Sequence, residues 1–509
     1  MAVLSHLGPT RVDSNAVVSG LSVLCRVLGI AMLLPAVIAL ALGDVNAASA
    51  LLLGAASAHL VAYPLSVHAP PAKFTWSQAF TMAGAAWLLG AIVASVPLAL
   101  SGHYSTTLQA VVEGMAGLTT TGASFVEDLD HLSVGINLWR HLLHPIGAVG
   151  ALLVVATIRL RGETLVSTST VAEAGEHRIL PRRGRSLRSA GGLVLVWSLL
   201  GSVILLAVGI ALGLPVGRAG LHAFTLATSA FSTGGFTLTS ASAGALHSAT
   251  VQLILAVLMI AGATSMMLHR ALWARRHHDL GRELDVRVMI ATSAFLTLVV
   301  LLGLSRAGVY DSFEMLARQG LFTTIAAHTT TGMSASSGRI IATGWGDLAP
   351  AALVAAMGIG GMGGSIAGGV GTLRVGLIAK GVVRDIRRLL LPESALVVET
   401  YQQSRRHVLT DSHVRAAATV LLLMLAAVFA GAVIQLATSP EGDLPEALFA
   451  ATSAVSTTGL SVGFVGPASG TITTLTTGLL MWFGRLEFLA VLASIGMVAR
   501  VIPGVGGRG

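Results

Sequence analysis

Ten apolar runs of membrane-span length divide this 509-residue chain, and no other feature limits its fold as tightly. They cover approximately 21–43, 46–67, 77–100, 137–158, 190–213, 249–270, 287–305, 347–380, 413–436 and 471–500. A helix needs roughly 20 apolar residues to cross about 30 Å of hydrocarbon, so each run is a transmembrane candidate. Only 11% of residues are Asp, Glu, Lys or Arg, against about 25% in an average soluble domain. That is too little charge for a water-soluble surface of this size. The eighth run is too long and too rich in glycine to form one regular helix. The first is full length and lacks a clear small-residue cleavage site, which reads as a retained helix rather than a signal peptide.

The net charge of +8 is carried almost wholly by arginine, Lys73 and Lys380 being the only lysines. The arginines lie in short loops between apolar runs, a topology signal rather than a nucleic-acid surface. Segment 159–188 holds Arg159, Arg161, Arg178, Arg182, Arg183, Arg185 and Arg188; 270–287 holds Arg270, Arg275, Arg276, Arg282 and Arg287. Segment 374–406 holds Arg374, Lys380, Arg384, Arg387, Arg388, Arg405 and Arg406, whereas 101–136 and 437–470 have no Lys or Arg. Basic loops stay cytoplasmic, which predicts a multi-pass protein of the cell membrane with both termini inside. The longest polar stretch, near 159–188, is too short for a soluble domain, so any nucleotide-sensing module must sit on another chain. Cys25 is the single cysteine, which excludes an internal disulfide.

The chain repeats itself. Four Ser/Thr/Gly clusters recur in arginine-poor or outside-facing loops: Ala116-Gly-Leu-Thr-Thr-Thr-Gly122, Ser229-Ala-Phe-Ser-Thr-Gly-Gly235, Ala326-Ala-His-Thr-Thr-Thr-Gly332 and Ser453-Ala-Val-Ser-Thr-Thr-Gly459. Aligned on the last glycine, each has a small residue six positions earlier and hydroxyls at the third and second positions before it. The glycines lie 113, 97 and 127 residues apart, room for a descending helix, a cytoplasmic loop, an ascending helix and a half-length re-entrant helix. The predicted architecture is an all-α membrane protein of about ten transmembrane helices plus four re-entrant helices. It has an N-terminal two-helix segment over 1–76 and four pseudo-symmetric repeats over 77–160, 161–272, 273–390 and 391–509. One such cluster alone is an ordinary loop; four in matching places are not.

The chemistry such clusters serve is dehydration of a cation. Rings of backbone carbonyls replace an ion's hydration shell without a full counter-charge, and glycine takes backbone angles closed to other residues. Irregular backbone is tolerated at membrane depth only where it is buried in protein or lines water. A half-helix before each cluster aims its negative carbonyl end at the centre. Glu113, Glu446, Asp311 and Glu314 place acid near these short helices, which raises local cation concentration.

Glu113-Gly-Met-Ala-Gly-Leu-Thr-Thr-Thr-Gly-Ala-Ser124 and Trp139-Arg-His-Leu-Leu-His-Pro-Ile-Gly147 resemble the first pore loop, and the helix after it, of the TrkH/KtrB superfamily of potassium transporters. That family looks like four potassium-channel subunits fused into one chain, and the two leading helices favour its TrkH side. The resemblance implies filter glycines at Gly122, Gly235, Gly332 and Gly459, with Thr120, Thr121, Thr233, Gly234, Thr330, Thr331, Thr457 and Thr458 supplying neighbouring oxygens to K+. It also implies a homodimer controlled by cytoplasmic nucleotide-binding subunits of the TrkA type, with no cofactor in this chain. One filter glycine per repeat predicts looser selectivity than in a potassium channel.

Two segments suggest a gate. Arg485 lies within an apolar run, where a charge is costly and functional by default; a bridge to Glu487 is the plainer alternative. The resemblance makes it a barrier below the filter. The eighth run contains Gly358-Ile-Gly-Gly-Met-Gly-Gly-Ser-Ile-Ala-Gly-Gly-Val-Gly371, too glycine-rich for a stable helix. The resemblance makes it a movable gate, with Gly363, Gly364, Ser365, Gly368 and Gly369 at its centre. Ile366 stands where the family commonly has threonine and Gly371 where it has lysine, leaving open how the loop is anchored. The same stretch matches a dinucleotide fingerprint, but a membrane span surrounds it rather than a β-α-β unit. His141 and His144, or His277 and His278 with Asp279, lack a fourth ligand at helical spacing and read as membrane-edge and loop residues. A secondary transporter is the alternative function, resting on Glu487 as the carboxylate within a span. An intramembrane enzyme lacks any nucleophile–base or metal constellation in the spans.

Overall fold

The computed structural model describes residues 14–67, 76–167, 183–244, 246–274, 280–392, 394–395, 397–403, 405–439, 442–486 and 491. Glu487, His277, His278 and Asp279 lie outside the described residues, as does most of the basic segment 159–188 at side-chain level. The chain begins with two long helices, α1 (Ser14–Ala41) and α2 (Val45–Val67). A motif of long helix, half-helix and helix then recurs four times.

Its first copy is α3 (Trp76–Leu100), α4 (Thr107–Leu118) and α5 (Val134–Ser167). The second is α6 (Arg183–Ala211), α7 (Val216–Phe231), α8 (Ala249–Gly262) and α9 (Met266–Trp273). The third is α10 (Leu284–Ala307), α11 (Phe313–His328), the short α12 (Gly338–Thr343), α13 (Leu348–Ile359) and α14 (Thr372–Leu390). The fourth is α15 (Asp411–Thr438), α16 (Leu444–Val455) and α17 (Thr471–Arg485).

Among the described residues six helices are long and apolar enough to cross a membrane unbroken, and α8 with α9 forms a seventh candidate bent by 103°. The sequence reads 249–270 as one run of span length; in the structure it breaks at Ala263–Ser265 into two helices. Interruption of the eighth run between α13 and α14 agrees with its glycine content. One element has no counterpart in the predicted architecture. Strands β1 (Thr400–Gln403) and β2 (Arg405–Val408) form an antiparallel hairpin pairing Thr400 with Val408 and Gln403 with Arg405.

The six unbroken spans present apolar side chains outward, as lipid-facing helices do. Ile30, Leu34 and Val37 of α1, Leu195, Leu199 and Val203 of α6, and Leu422, Leu425 and Phe429 of α15 are exposed. Helices meet through small residues, which bring backbones close where lipid supplies no hydrophobic drive. Apart from Leu51, the buried residues of α2 are small, Gly54 with Ala47, Ala48, Ala50, Ala55, Ala58 and Ala62, and the helix packs mainly on α1. Tryptophan indoles tie helices together within and between copies: Trp87 Nε1 donates to the Leu118 carbonyl inside the first copy, and Trp482 Nε1 of the fourth copy donates to Gly84 O of the first, each at 3.0 Å. The bundle therefore closes on itself.

Candidate functional site

The four half-helices are 12 or 16 residues long, about 18–24 Å at 1.5 Å per residue, too short to cross a bilayer. Three start on a side chain that accepts a backbone N–H: Thr106 from Gln109, Ser312 from Met315 and Asp443 from Glu446. All four end four residues before a cluster glycine, and their ends are alike. The N–H of Thr121, Gly234, Thr331 and Thr458 donates to the carbonyl five residues back, at 2.8–2.9 Å. Thr120, Thr233, Thr330 and Thr457 have φ of 53°, 49°, 52° and 52°, and Gly122, Gly235, Gly332 and Gly459 have φ of 76°, 76°, 73° and 78°. A left-handed threonine is rare, being both β-branched and non-glycine, and four at one register are a shared design.

These four turns touch one another in a ring. A methyl group on Gly122 would collide with the Gly234 carbonyl oxygen, on Gly235 with that of Thr331, on Gly332 with that of Thr458, and on Gly459 with that of Thr121. Each turn meets the next in chain order, and the last meets the first. Glycine is required here twice, by the positive φ and by a carbonyl where a side chain would stand. The clustered residues predicted at Thr120, Thr121, Gly122, Thr233, Gly234, Gly235, Thr330, Thr331, Gly332, Thr457, Thr458 and Gly459 are thus brought together. The hydroxyl oxygens of Thr120, Thr233 and Thr457 are buried with no hydrogen-bond partner among the described residues. An orphaned buried hydroxyl costs about 1–3 kcal/mol, so three at equivalent positions suit a ligand that accepts oxygen donors. No carboxylate belongs to the ring.

Behind the first turn sits a buried charge pair. Glu113 and Arg140 are both fully enclosed, with Nη2 2.6 Å and Nε 2.8 Å from Oε1. Glu113 also accepts the Phe125 N–H at 2.6 Å, and Arg140 donates to Ser124 Oγ at 3.0 Å. Both bonds hold the chain just after Gly122. The expectation that Glu113 adds free negative charge is corrected: Arg140 neutralises it. His141 and His144 are likewise fully buried beside this pair.

The glycine-rich segment 360–371 lies against the ring. Gly368 N donates to Thr330 Oγ1 at 2.8 Å, and a side chain at Gly368 would collide with Ser456 O and Thr457 Oγ1. The feet of the loop are zipped, Val370 N to Gly358 O at 3.0 Å and Gly371 N to Ile359 O at 2.8 Å. Its tip is stitched to the break between α8 and α9: Met362 N donates to Ala263 O, Ile366 N to Gly262 O and Met266 N to Gly364 O. Two broken helices thereby satisfy each other's backbone groups, which a membrane interior demands. Arg485 Nη1 donates to Ile366 O at 2.6 Å, and Ser365 Oγ to Met362 O at 2.7 Å. Gly363 donates to Asp285 Oδ1, and Gly369, with φ 80°, packs on Gly360. The departures at Ile366 and Gly371 have an account. Ile366 is buried among Ala148, Leu152, Leu193 and Phe231, and Gly371 has φ 92°, a backbone closed to lysine without strain.

The TrkH cation transport protein family matches residues 53–498. The chain belongs to the TrkH family of cation transport proteins. As a TrkH-family chain it is a multi-pass membrane protein that moves cations, and not an enzyme. An uncharacterized cation transporter of Methanocaldococcus jannaschii is 25% identical, over 95% of each chain. The Trk system potassium uptake protein TrkI of Halomonas elongata is 27% identical, over 93% of this chain and 94% of its own. The fold agrees with the crystal structure of the potassium transporter TrkH from Vibrio parahaemolyticus at a TM-score of 0.81. That match has 22% identity and covers 97% of this chain and 100% of the other.

Sequence reasoning misses three residues of this TrkH-family site. Asp285, near the start of α10, accepts both Gly363 N–H and Thr372 Oγ1, the latter at 2.8 Å. Arg140 is embedded in the motif that carries the family resemblance, yet its partner Glu113 is 27 residues away and no periodicity links them. His144 is visible as a polar residue within an apolar run, which is the one signal that marks it.

Proposed function

We propose that the translocated cation is potassium and that it crosses through the ring of four glycine-ended turns, a selectivity filter. The closure of that ring, each glycine against the next turn's carbonyl, carries this reading. Carbonyl oxygens and threonine hydroxyls without carboxylates suit a weakly hydrated monovalent ion that must also leave. The potassium uptake for which the Halomonas elongata relative is named points the same way.

The segment Gly360–Gly371, with Gly363, Gly364, Ser365, Gly368 and Gly369, is the gate in its shut position, and Arg485 holds it. A positive charge on the ion's path opposes conduction, and its bond to Ile366 O ties that charge to the loop. Regulation comes from outside the chain: a homodimer with cytoplasmic nucleotide-binding subunits of the TrkA type, in the inner membrane, both termini cytoplasmic. The basic loops support that orientation.

Purified protein in liposomes tests the reading. Potassium, rubidium and sodium fluxes are measured with wild type, Gly122→Ser and Arg485→Ala. Altered ion preference in the first and raised leak in the second are expected; unchanged behaviour in both removes the assignment. Flux that follows voltage and the ion gradient, and ignores a pH gradient, excludes ion-coupled transport.

A further inference from the structure

Three of the four turns carry the same hydroxyl clamp, and one does not. In the first, Thr119 Oγ1 and Thr121 Oγ1 lie 2.7 Å apart; in the third, Thr329 and Thr331 are 2.9 Å apart; in the fourth, Ser456 and Thr458 are 2.7 Å apart. Each clamp joins the residue before the left-handed threonine to the residue after it. It fixes the peptide whose carbonyl meets the neighbouring glycine. The second turn has Ser232 and Gly234 at these places, and Ser232 Oγ has no partner among the described residues.

Backbone conformation does not explain Gly234. Its φ lies outside the left-handed region, unlike that of Gly235, so any L-residue fits the main chain there. What forbids a side chain is the imidazole of His144, whose Nδ1, Cγ and Cε1 occupy the space a Cβ would need. That ring is itself fixed on two sides. Its Nδ1 is 2.9 Å from Ser229 Oγ, on the half-helix that leads into this turn. Its face stacks on Phe236, centroids 4.5 Å apart, and Arg140 covers Phe236 at 4.2 Å. His144 stands three residues before Gly147, the glycine that lets α5 approach the Leu118 carbonyl. Gly262 and Gly484 make the same approach to Phe231 O and Val455 O, and three residues before them stand Met259 and Met481. Among these three helices the imidazole is peculiar to α5.

We infer that His144 is a positioning residue for the second filter turn, where its imidazole, seated against Gly234, replaces the hydroxyl clamp of the other three. The inference rests on the filter reading above. The second turn then keeps the shared backbone through an aromatic wedge from the preceding repeat. A pocket shaped for one side chain from two alternative directions makes the pair exchangeable: imidazole with glycine, or hydroxyl with a small residue at 144.

The test is a swap, read as the potassium-to-sodium flux ratio in liposomes. His144→Ala is expected to lower the ratio about fivefold, equivalent to ~1 kcal/mol, and Gly234→Thr alone to lower flux further by forcing the ring and methyl groups together. His144→Ala with Gly234→Thr should restore the ratio to within about twofold of wild type, because the hydroxyl introduced at position 234 then clamps Ser232. Adding Ser232→Ala should abolish that rescue, yet change little in the wild-type background. A wild-type ratio in His144→Ala, or a double variant no better than Gly234→Thr, overturns the inference. Should the position-144 variants fail to fold by size-exclusion chromatography, Ser232→Ala beside Thr329→Ala decides. Only the second should lower the ratio, and equal effects overturn the inference. Gly459→Ala runs in parallel: if it too leaves flux and ratio unchanged, the filter reading itself falls, whereas an affected Gly459→Ala beside a silent His144→Ala removes only the role of His144.

Discussion

The ring and the loop pressed against it are built on opposite plans. The ring is one local structure made four times: a half-helix end, a five-residue back-bond, a left-handed threonine and a left-handed glycine. The loop 360–371 is made once, and no two of its anchors are alike: a backbone zip at its feet, a neighbour's broken helix at its tip, the Asp285 carboxylate, the Arg485 guanidinium and the burial of Ile366. A fourfold feature surrounds an axis with equal oxygens, which a passing ion needs. A single-copy feature cannot surround an axis, but it can obstruct one. Under the proposed reading, conduction is written in what the repeats share and control in what one repeat does differently.

Gly459→Ala attacks the shared part and should have the largest effect. The added methyl meets the Thr121 carbonyl, and φ is 78°. Strain in a close-packed site is about 1–3 kcal/mol, and left-handed backbone adds about 1–2 kcal/mol more for a non-glycine residue. Potassium flux should fall more than about tenfold in liposomes. Arg485→Ala attacks the single-copy part and should act in the opposite direction. Losing the bond to Ile366 O together with the positive charge should raise basal leak about tenfold, or ~1.4 kcal/mol, with the ion preference retained. If both variants changed preference and neither changed leak, the division between ring and loop would be wrong.

Which parts are legible in the sequence follows from the same contrast. Gly122, Gly235, Gly332 and Gly459 stand out because repetition amplifies a weak signal: each cluster alone is a loop, and their common register is the information. The break between α13 and α14 is visible because glycine prevents helix, a local property. The break after Gly262 is not, since Ala263, Thr264 and Ser265 are ordinary in a helix; the bend there is stabilised by bonds from a loop about a hundred residues later. Glu113 reads as free acid for a related reason. Its neutralisation by Arg140 is a tertiary contact, and an exposure of 0% for both side chains cannot be read from spacing. Likewise Gly234 looks like one more flexible filter glycine, whereas the imidazole of His144 is what excludes a side chain.

Asp285→Ala sharpens the comparison at lower amplitude. The carboxylate joins the tip of the loop to its foot, through Gly363 N–H and Thr372 Oγ1 respectively, while the other tip bonds and Arg485 remain. Losing these bonds to a charged acceptor is worth about 1.5–3 kcal/mol in a buried setting, but the zipped feet share the load. Leak should rise about threefold, less than in Arg485→Ala. Asp285→Asn keeps an acceptor oxygen and should stay close to wild type. A larger effect from Asp285→Ala than from Arg485→Ala would move the principal latch from the Arg485 guanidinium to the Asp285 bridge between tip and foot.

The smallest effect belongs to the hairpin of β1 and β2, which lies outside both ring and loop. Glu399, just before β1, accepts Lys380 Nζ at 2.6 Å and Arg387 Nη1 at 3.1 Å, tying the hairpin to α14. The hydrogen bond from Lys380 holds the Glu399 carboxyl below the ordinary glutamate range, although partial desolvation acts the other way. A carboxyl whose value is lowered on folding contributes stability that is present above its unfolded value and is lost as pH falls through its folded one. Thermal unfolding in detergent should therefore show Glu399→Gln slightly less stable than wild type at neutral pH, by about 0.5 kcal/mol for a partly exposed pair. Below the folded value the two should converge. Because α14 continues directly from the loop at Thr372, leak is the sharper readout. If Glu399→Gln raised it as much as Asp285→Ala does, the hairpin would belong to the control apparatus rather than merely standing beside it.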